Sequence, residues 1–362
     1  VRIDQLVPGF ARHDAISGHV RLIREALRAA GVDSDIYGGE AVAPDLRSEA
    51  PRWTEWAPRD TERALLYHGS TASAMSDWLI ERAGEGERVI LDYHNITPAE
   101  YFDRWLPEAA ASMRRARVEL AELVPAVGLA VADSRFNEGE LTALGYAPTD
   151  TCRLLVDLER YHDEPDRRSL DRLRRRRDRS GRRWLFVGRI APNKCQHDLV
   201  AAFAVYRRLY DPRAELTLVG GVSAPRYLRA LQALVGRLGL TGSVDLVEGA
   251  THAELLAHFA TADAMVCLSE HEGFCVPLLE AMELGLPVVA YATAAVPETV
   301  AGAGVLLADK DPLAVAVAVA ELFDDPRRRA ELVAAGKRKA EQWSLPRTSA
   351  AMLERLVGHL GG

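Results

Sequence analysis

Two glutamates eight positions apart, Glu272 and Glu280, stand in the stretch SEHEGFCVPLLEAMELGLPVVA beside Phe274, Val276, Leu278 and Leu279. An unpaired carboxylate in an apolar interior is costly, and a solvated helix has no need of so many large apolar side chains. The mixture reads as the wall of a pocket. Upstream, FVGRIAPNK sets Arg189 and Lys194 five residues apart in the loop after an apolar strand. That spacing suits a diphosphate, which arginine grips as a fork and lysine meets as a point charge. Two solvated loop charges are the plainer account, but the place at a strand's carboxyl end favours binding. Carboxylates accept hydrogen bonds from paired hydroxyls, and paired hydroxyls at both ends of a diphosphate describe a nucleotide sugar. The loop is neither GxxxxGK[ST] nor GxGxxG, which weighs against an ATPase or a dehydrogenase.

Such residues need a frame that delivers them to strand ends. VRIDQLV, SDIYGG, ALLYHG, RVILDYHN and LAVADS read as strands, and SGHVRLIREALRAAGV as a helix with Val20, Ile23, Leu27 and Ala30 on one face. A second series follows, WLFVGRI, AELTLVGG, SVDLVEG, AMVCLS, PVVAYA and AGVLLA, with helical periods between. Apolar strands alternating with amphipathic helices predict parallel sheets covered on both faces. A chain of 362 residues exceeds one comfortable core. The expected fold class is α/β, two doubly wound Rossmann-like domains with a ligand cleft between them at the carboxyl ends of the strands. The first domain is expected over 1–165, an arginine-rich linker over 166–183 and the second domain over 184–344. In the linker, RRSLDRLRRRRDRSGRR reads as a solvated connector or surface helix. Contact with an anionic membrane is the lesser alternative.

The net charge of −7 argues against nucleic acid as a partner. Four cysteines without a CxxC pair do not suggest a disulfide framework or a zinc site, and point to a cytoplasmic protein. Cys267 and Cys275 sit in apolar company and read as small buried side chains. No apolar run approaches a membrane span, and no secretory leader is read at the start. Contact with the inner face of the membrane would be peripheral.

Glu272-x7-Glu280 within EHEGFCVPLLEAM, preceded by FVGRIAPNK and followed by GLPVVA, resembles the retaining glycosyltransferases of the GT-B fold. The resemblance is to family four, the glycosyl transferases group one. It is strong from Trp184 to Gly304 and topological over the first half. It implies that Arg189 and Lys194 hold the donor diphosphate. Glu272, with the amides of Gly273, Phe274, Cys275 and Val276, would bind the donor sugar, and Glu280 the ribose. The nucleobase would face the loop at Val247–Gly249. His94 would lie near the reacting centre, and Gly18 would approach the phosphates. Asp14, Ser17, His19, Ser134 and Arg135 are the candidates for the acceptor side. The resemblance also implies that the final segment, 345–362, returns to the first domain. Two departures stand out. Relatives carry adjacent glycines where this chain has Ile16-Ser17-Gly18, and often Glu-Lys-Gly where it has Asn193-Lys194-Cys195.

The implied reaction moves a hexosyl-type group from a UDP- or GDP-sugar to an acceptor hydroxyl with retention at the anomeric carbon. The acceptor would be an envelope glycan, a natural product or a small polyol. No DxD-like motif sits at a strand end near these residues, so a metal-independent, cofactor-free reaction is expected. The alternatives are a non-catalytic sugar-binding subunit and an epimerase or phosphorylase of the same architecture. A phosphorylase would want a lysine motif for pyridoxal phosphate, which is not evident.

Overall fold

The computed structural model describes residues 1–12, 14–59, 62–177 and 181–360. His13 of the first loop, positions 178–180 of the expected linker and positions 361–362 of the closing segment lie outside the described residues. The chain forms two compact units. Unit 1 comprises Val1–Glu100, Pro107–Asp157 and Trp343–Gly362, and unit 2 comprises Tyr101–Leu106 and Leu158–Gln342.

In unit 1 the order is β1 (Arg2–Phe10), α1 (Ala15–Ala29), β2 (Ile36–Val42), β3 (Arg63–Gly69), α2 (Met75–Gly84) and β4 (Arg88–Tyr93). Then come α3 (Pro107–Glu122), β5 (Leu129–Ala132), α4 (Arg135–Leu144) and β6 (Thr149–Thr151). Every pair is parallel, in the order β2-β1-β3-β4-β5-β6. Side chains alternate across a strand. Leu66 therefore buries with Ile3, Ile23 and Ile90, while its neighbour Leu65 joins a separate cluster with Leu91 and Leu120. Both faces are covered, which is why these strands read as unbroken apolar runs.

Unit 2 runs α5 (Arg167–Arg177), β7 (Arg183–Val187), α6 (Gln196–Leu209), β8 (Glu215–Val219), α7 (Pro225–Arg237) and β9 (Val244–Val247). It continues with α8 (His252–Thr261), β10 (Ala264–Cys267), α9 (Val276–Glu283), β11 (Val288–Tyr291), α10 (Val296–Val300) and β12 (Val305–Leu307). Helices α11 (Pro312–Asp324) and α12 (Pro326–Ala340) close it. Its sheet is also parallel, in the order β12-β11-β10-β7-β8-β9. The last helix, α13 (Leu345–Gly358), buries Met352 and Leu356 against Ile23 and Leu27 of unit 1. Each such fully buried side chain is worth about 1.5–3 kcal/mol of transfer free energy.

The boundary between the units falls at Asp157 and Leu158 rather than at 165. The arginine-rich stretch is not a free linker. It forms α5, whose Leu170 and Leu173 pack on Ala257 of α8. Arg176 bonds to Glu215 and Asp245, and Arg177 to Asp263 at 2.8 Å, so two of its arginines are structural.

Candidate functional site

The order of the unit 2 sheet reverses between β7 and β10. From β7 the chain steps outward to β8 and β9, then returns on the other side for β10, β11 and β12. Loops at the carboxyl ends of such strands border the place where doubly wound sheets bind ligands. The β7 loop carries Arg189 and Lys194, and the β10 loop carries Glu272.

Lys194 Nζ donates to Glu272 Oε2 at 2.6 Å, joining the two loops through side chains 15% and 8% exposed. Backbone contacts hold the same pair of loops. Glu270 N donates to Asn193 O at 2.9 Å, and from the loop after β11 the Thr293 hydroxyl donates to Glu270 O at 3.2 Å. Lys310, which the sequence reading did not single out, bonds to Asp198 Oδ2 at 2.6 Å and to Glu270. Arg189 is exposed, and its guanidinium makes no hydrogen bond or ion pair among the described residues. The loop is thus one cation held in place and one cation reaching out.

Cys275, at φ 71°, turns the chain directly into α9, with Pro277 in the first turn, where its missing N–H costs nothing. The amides of Cys275 and Val276 have no acceptor among the described residues. Two aligned donors at a helix start attract an anion or a hydroxyl oxygen. The Phe274 carbonyl is fixed by Thr299 Oγ1. Gly249 stands exposed at φ 66° just past β9, with open space where a side chain would be. Glu280 is buried on α9, and the Tyr161 hydroxyl donates to its Oε1. Burial pushes its pKa up to about 7, against the opposing effects of that hydrogen bond and the Arg160 charge. Tyr161 lies just before the expected linker, where nothing local ties it to Glu280, 119 positions away. Cys267, Glu272 and Cys275 bring ligating atoms within 4.8 Å of one another, but Glu272 is already committed to Lys194.

The unit 1 candidates divide differently. His94 follows β4, and its ring is buried among His68, Asp92 and Asp133. His94 Nδ1 is 3.1 Å from Asp133 Oδ2 and its Nε2 is 3.0 Å from His68 Nδ1. His68 Nε2 meets Gln5 Oε1 at 3.0 Å. His94 is raised to about 9: Asp92 and Asp133 together outweigh the large opposing desolvation. Desolvation takes His68 down to about 4. Asp92 lies well below the usual carboxylate range because the imidazoles around it outweigh the cost of its burial.

Several acceptor-side candidates already have partners within the protein. His19 is fully buried; its Nδ1 accepts from Leu155 N at 2.9 Å and its Nε2 meets Asp92 Oδ2 at 2.9 Å. No ring nitrogen is left for an acceptor molecule. Ser17 is also fully buried, its hydroxyl donating to Asp14 Oδ2 at 2.8 Å and accepting from Ala11 N at 3.0 Å. Asp14 caps α1 by accepting from Ser17 N. Gly18 lies inside the first turn of α1, and its amide donates to Asp14 O at 3.0 Å. Space is open at its Cα. Ser134 is buried and caps α4 through Asn137 N at 3.2 Å, while Arg135 is exposed.

Comparison with known proteins fits this geometry. Residues 171–339 match the family described as glycosyl transferases group 1. The GDP-mannose-dependent alpha-(1-6)-phosphatidylinositol monomannoside mannosyltransferase of Mycolicibacterium smegmatis is 33% identical over 293 residues, covering 77% of this chain and 72% of the relative. A D-inositol 3-phosphate glycosyltransferase of Thermobispora bispora is 32% identical over 234 residues, covering 62% of this chain and 54% of the relative. Among solved structures, Anabaena HepE in complex with UDP and glucose aligns at a TM-score of 0.75 and 17% identity, over 99% of each chain. Sucrose-phosphate synthase from Thermosynechococcus elongatus aligns at 0.76 and 20%, also over 99% of each. These last two similarities show that the fold is GT-B.

Proposed function

The chain belongs to the glycosyl transferases of group 1, and on that premise we propose that it moves a hexosyl group from a nucleotide-diphosphate sugar to an acceptor hydroxyl, with retention. The observation that carries the reading is the Lys194–Glu272 pair at 2.6 Å, set beside the unpartnered Cys275 and Val276 amides at the strand reversal of unit 2. Lys194 and Arg189 take the diphosphate. Glu272, released from Lys194 by the incoming phosphate, accepts from sugar hydroxyls. Glu280 accepts from the ribose hydroxyls and Gly249 leaves room for the base. One relative is GDP-mannose-dependent, so GDP-mannose leads the donor panel, with UDP-glucose next.

In the chemical step the bond from the anomeric carbon to the diphosphate oxygen breaks, and the acceptor oxygen bonds to the same face. The acceptor proton passes to the leaving diphosphate. Lys194 and Arg189 stabilise the charge that grows on that leaving group, a contribution made most strongly in the transition state. The two glutamates are not assigned the nucleophile and acid of a retaining glycosidase, because those two must flank one bond. The relatives named for phosphatidylinositol mannoside and inositol phosphate support an inositol-bearing or other polyol acceptor.

The test is a donor panel with an inositol phosphate and a lipid-extract acceptor, with proton NMR of the anomeric centre in the product. A product with the donor's anomeric configuration, lost in Lys194→Ala, is the expected outcome. An inverted product overturns the retaining mechanism. Absence of turnover with all donors, together with donor binding unchanged in Lys194→Ala, overturns the site.

A further inference from the structure

The protons of the buried unit 1 cluster can be assigned one after another. Gln5 Nε2 donates to Val20 O at 3.1 Å, which fixes the amide and turns Oε1 toward His68. An amide oxygen only accepts, so His68 Nε2 carries a hydrogen. His68 Nδ1 lies 3.0 Å from His94 Nε2 and 3.4 Å from Asp92 Oδ2. Only His94 also faces a second carboxylate, Asp133, which places the shared proton on His94 and leaves His68 Nδ1 a lone pair, in the direction that burial also pushes His68. His94 Nε2 is then the donor to that lone pair. The other nitrogen of His94, Nδ1, faces both oxygens of Asp133 at 3.1 and 3.2 Å and donates there. A ring that donates from both nitrogens is an imidazolium.

We propose that the chain Val20 O–Gln5–His68–His94–Asp133 locks His94 as an imidazolium, which makes Gln5 and His68 positioning residues and bars the His94 ring from acting as a base. Every element around the ring agrees with that charge. Asp92 of β4 lies 3.5 Å from Nε2, Asp133 follows β5, and Asp14 at the head of α1 adds its charge from further off. His19 of α1 crosses the ring edge-on with centroids 5.3 Å apart. It is neutral by its own bonds, since Nδ1 accepts from Leu155 N and Nε2 donates to Asp92. His68 of β3 stacks on His94 at an interplanar angle of 5°, an arrangement that places one cation rather than two. The same logic removes the cluster as a metal site. The ligating atoms of His19, His68, Asp92 and His94 lie within 4.8 Å of one another, yet the facing nitrogens of His19 and His94 carry protons.

The protonation assignment stands on unit 1 alone, and its effect on rate rests on the transfer reading above. Titration of the protein with ¹⁵N-labelled histidine separates the two. His94, identified by loss of its signals in His94→Gln, is expected to show two imidazolium nitrogens from pH 6 to 8 and to deprotonate near pH 9. His68, identified through His68→Gln, is expected to stay neutral down to pH 5. A neutral His94 at pH 7, or a charged His68, overturns the proposal in the wild-type protein, whatever any variant does. Gln5→Leu removes the acceptor that holds the His68 tautomer. It should lower the His94 midpoint by at least about one pH unit and draw the alkaline limb of kcat down with it. If the midpoint moves and kcat does not, the positioning role is overturned. If no sugar is transferred at all, the titration still reads the lock.

Discussion

The carboxyl ends of the two sheets hold similar side chains in opposite conditions. In unit 1 His19, His68, His94 and Asp92 are buried, and the three rings use every nitrogen on a protein partner. In unit 2 the Arg189 guanidinium and the amides of Cys275 and Val276 have no partner among the described residues, and Glu280 is held near neutrality. A buried polar group left unpaired costs about 1–3 kcal/mol. A saturated network therefore holds shape, while a site with donors to spare is kept open to something that supplies acceptors. The type of residue does not separate the two; the count of spent lone pairs and protons does.

The largest expected effect lies in unit 2. Lys194→Ala should lower kcat by about 10²–10³-fold, the loss typical of removing one preorganised charge from a developing anion, a far larger effect than the fall in Tm from leaving the Glu272 carboxylate without its cation. Equal loss of Tm and kcat would make Lys194 structural and erase the contrast. In unit 1, Asp92→Asn leaves His94 without one of its counter-charges and should cost about 3 kcal/mol of stability, as for a broken buried ion pair. Calorimetric Tm against donor Kd measures this, with Tm expected to fall far more than binding.

Glu280 sharpens the comparison through pH. Its ordinary value of 4.5 is raised to about 7, so the folded protein binds more protons than the unfolded chain between those values. Stability from this group is complete below pH 4.5 and is lost as pH climbs through 7. At about 1.4 kcal/mol per pH unit the loss is of order 3 kcal/mol. Glu280→Gln should flatten the dependence of Tm on pH over that window. Donor affinity should run the other way in wild type and strengthen above pH 7, because ribose hydroxyls need the carboxylate as acceptor. The smallest effect is expected on α5. Arg174→Ala and Arg175→Ala remove exposed charges and should change stability by less than about 0.5 kcal/mol and leave kcat unchanged.

How much of this was legible in the sequence follows the range of the interactions. Arg189, Lys194 and Glu272 sit in two short loops and Glu280 in the helix that follows the second, and their local pattern shows them at once. Continuous apolar runs marked eleven strands, from VRIDQLV to AGVLLA, and the parallel class. Strand β6 was missed because its three residues, Thr149–Thr151, are all polar, and α10 because it has only five. The His19–His68–His94 cluster was beyond reach for another reason. It exists only because parallel register sets His68 beside Asp92 and brings β1 alongside β3. Residues 19, 68 and 94 carry no shared local mark. His19 and Ser17 looked available at the exposed start of the first helix, whereas α1, starting at Ala15, turns both inward. A surface helix was one reading of the arginine run, but its packing was hidden because Leu170 and Leu173 are the only large apolar residues on the buried face of α5.

The most direct measurement is isothermal titration of GDP-mannose and UDP-glucose into wild type, Lys194→Ala and Glu280→Ala. One nucleotide sugar is expected to bind wild type, and both variants to lose at least tenfold in affinity while remaining folded. Undiminished binding in both variants would contradict the assignment of the donor to the strand reversal of unit 2.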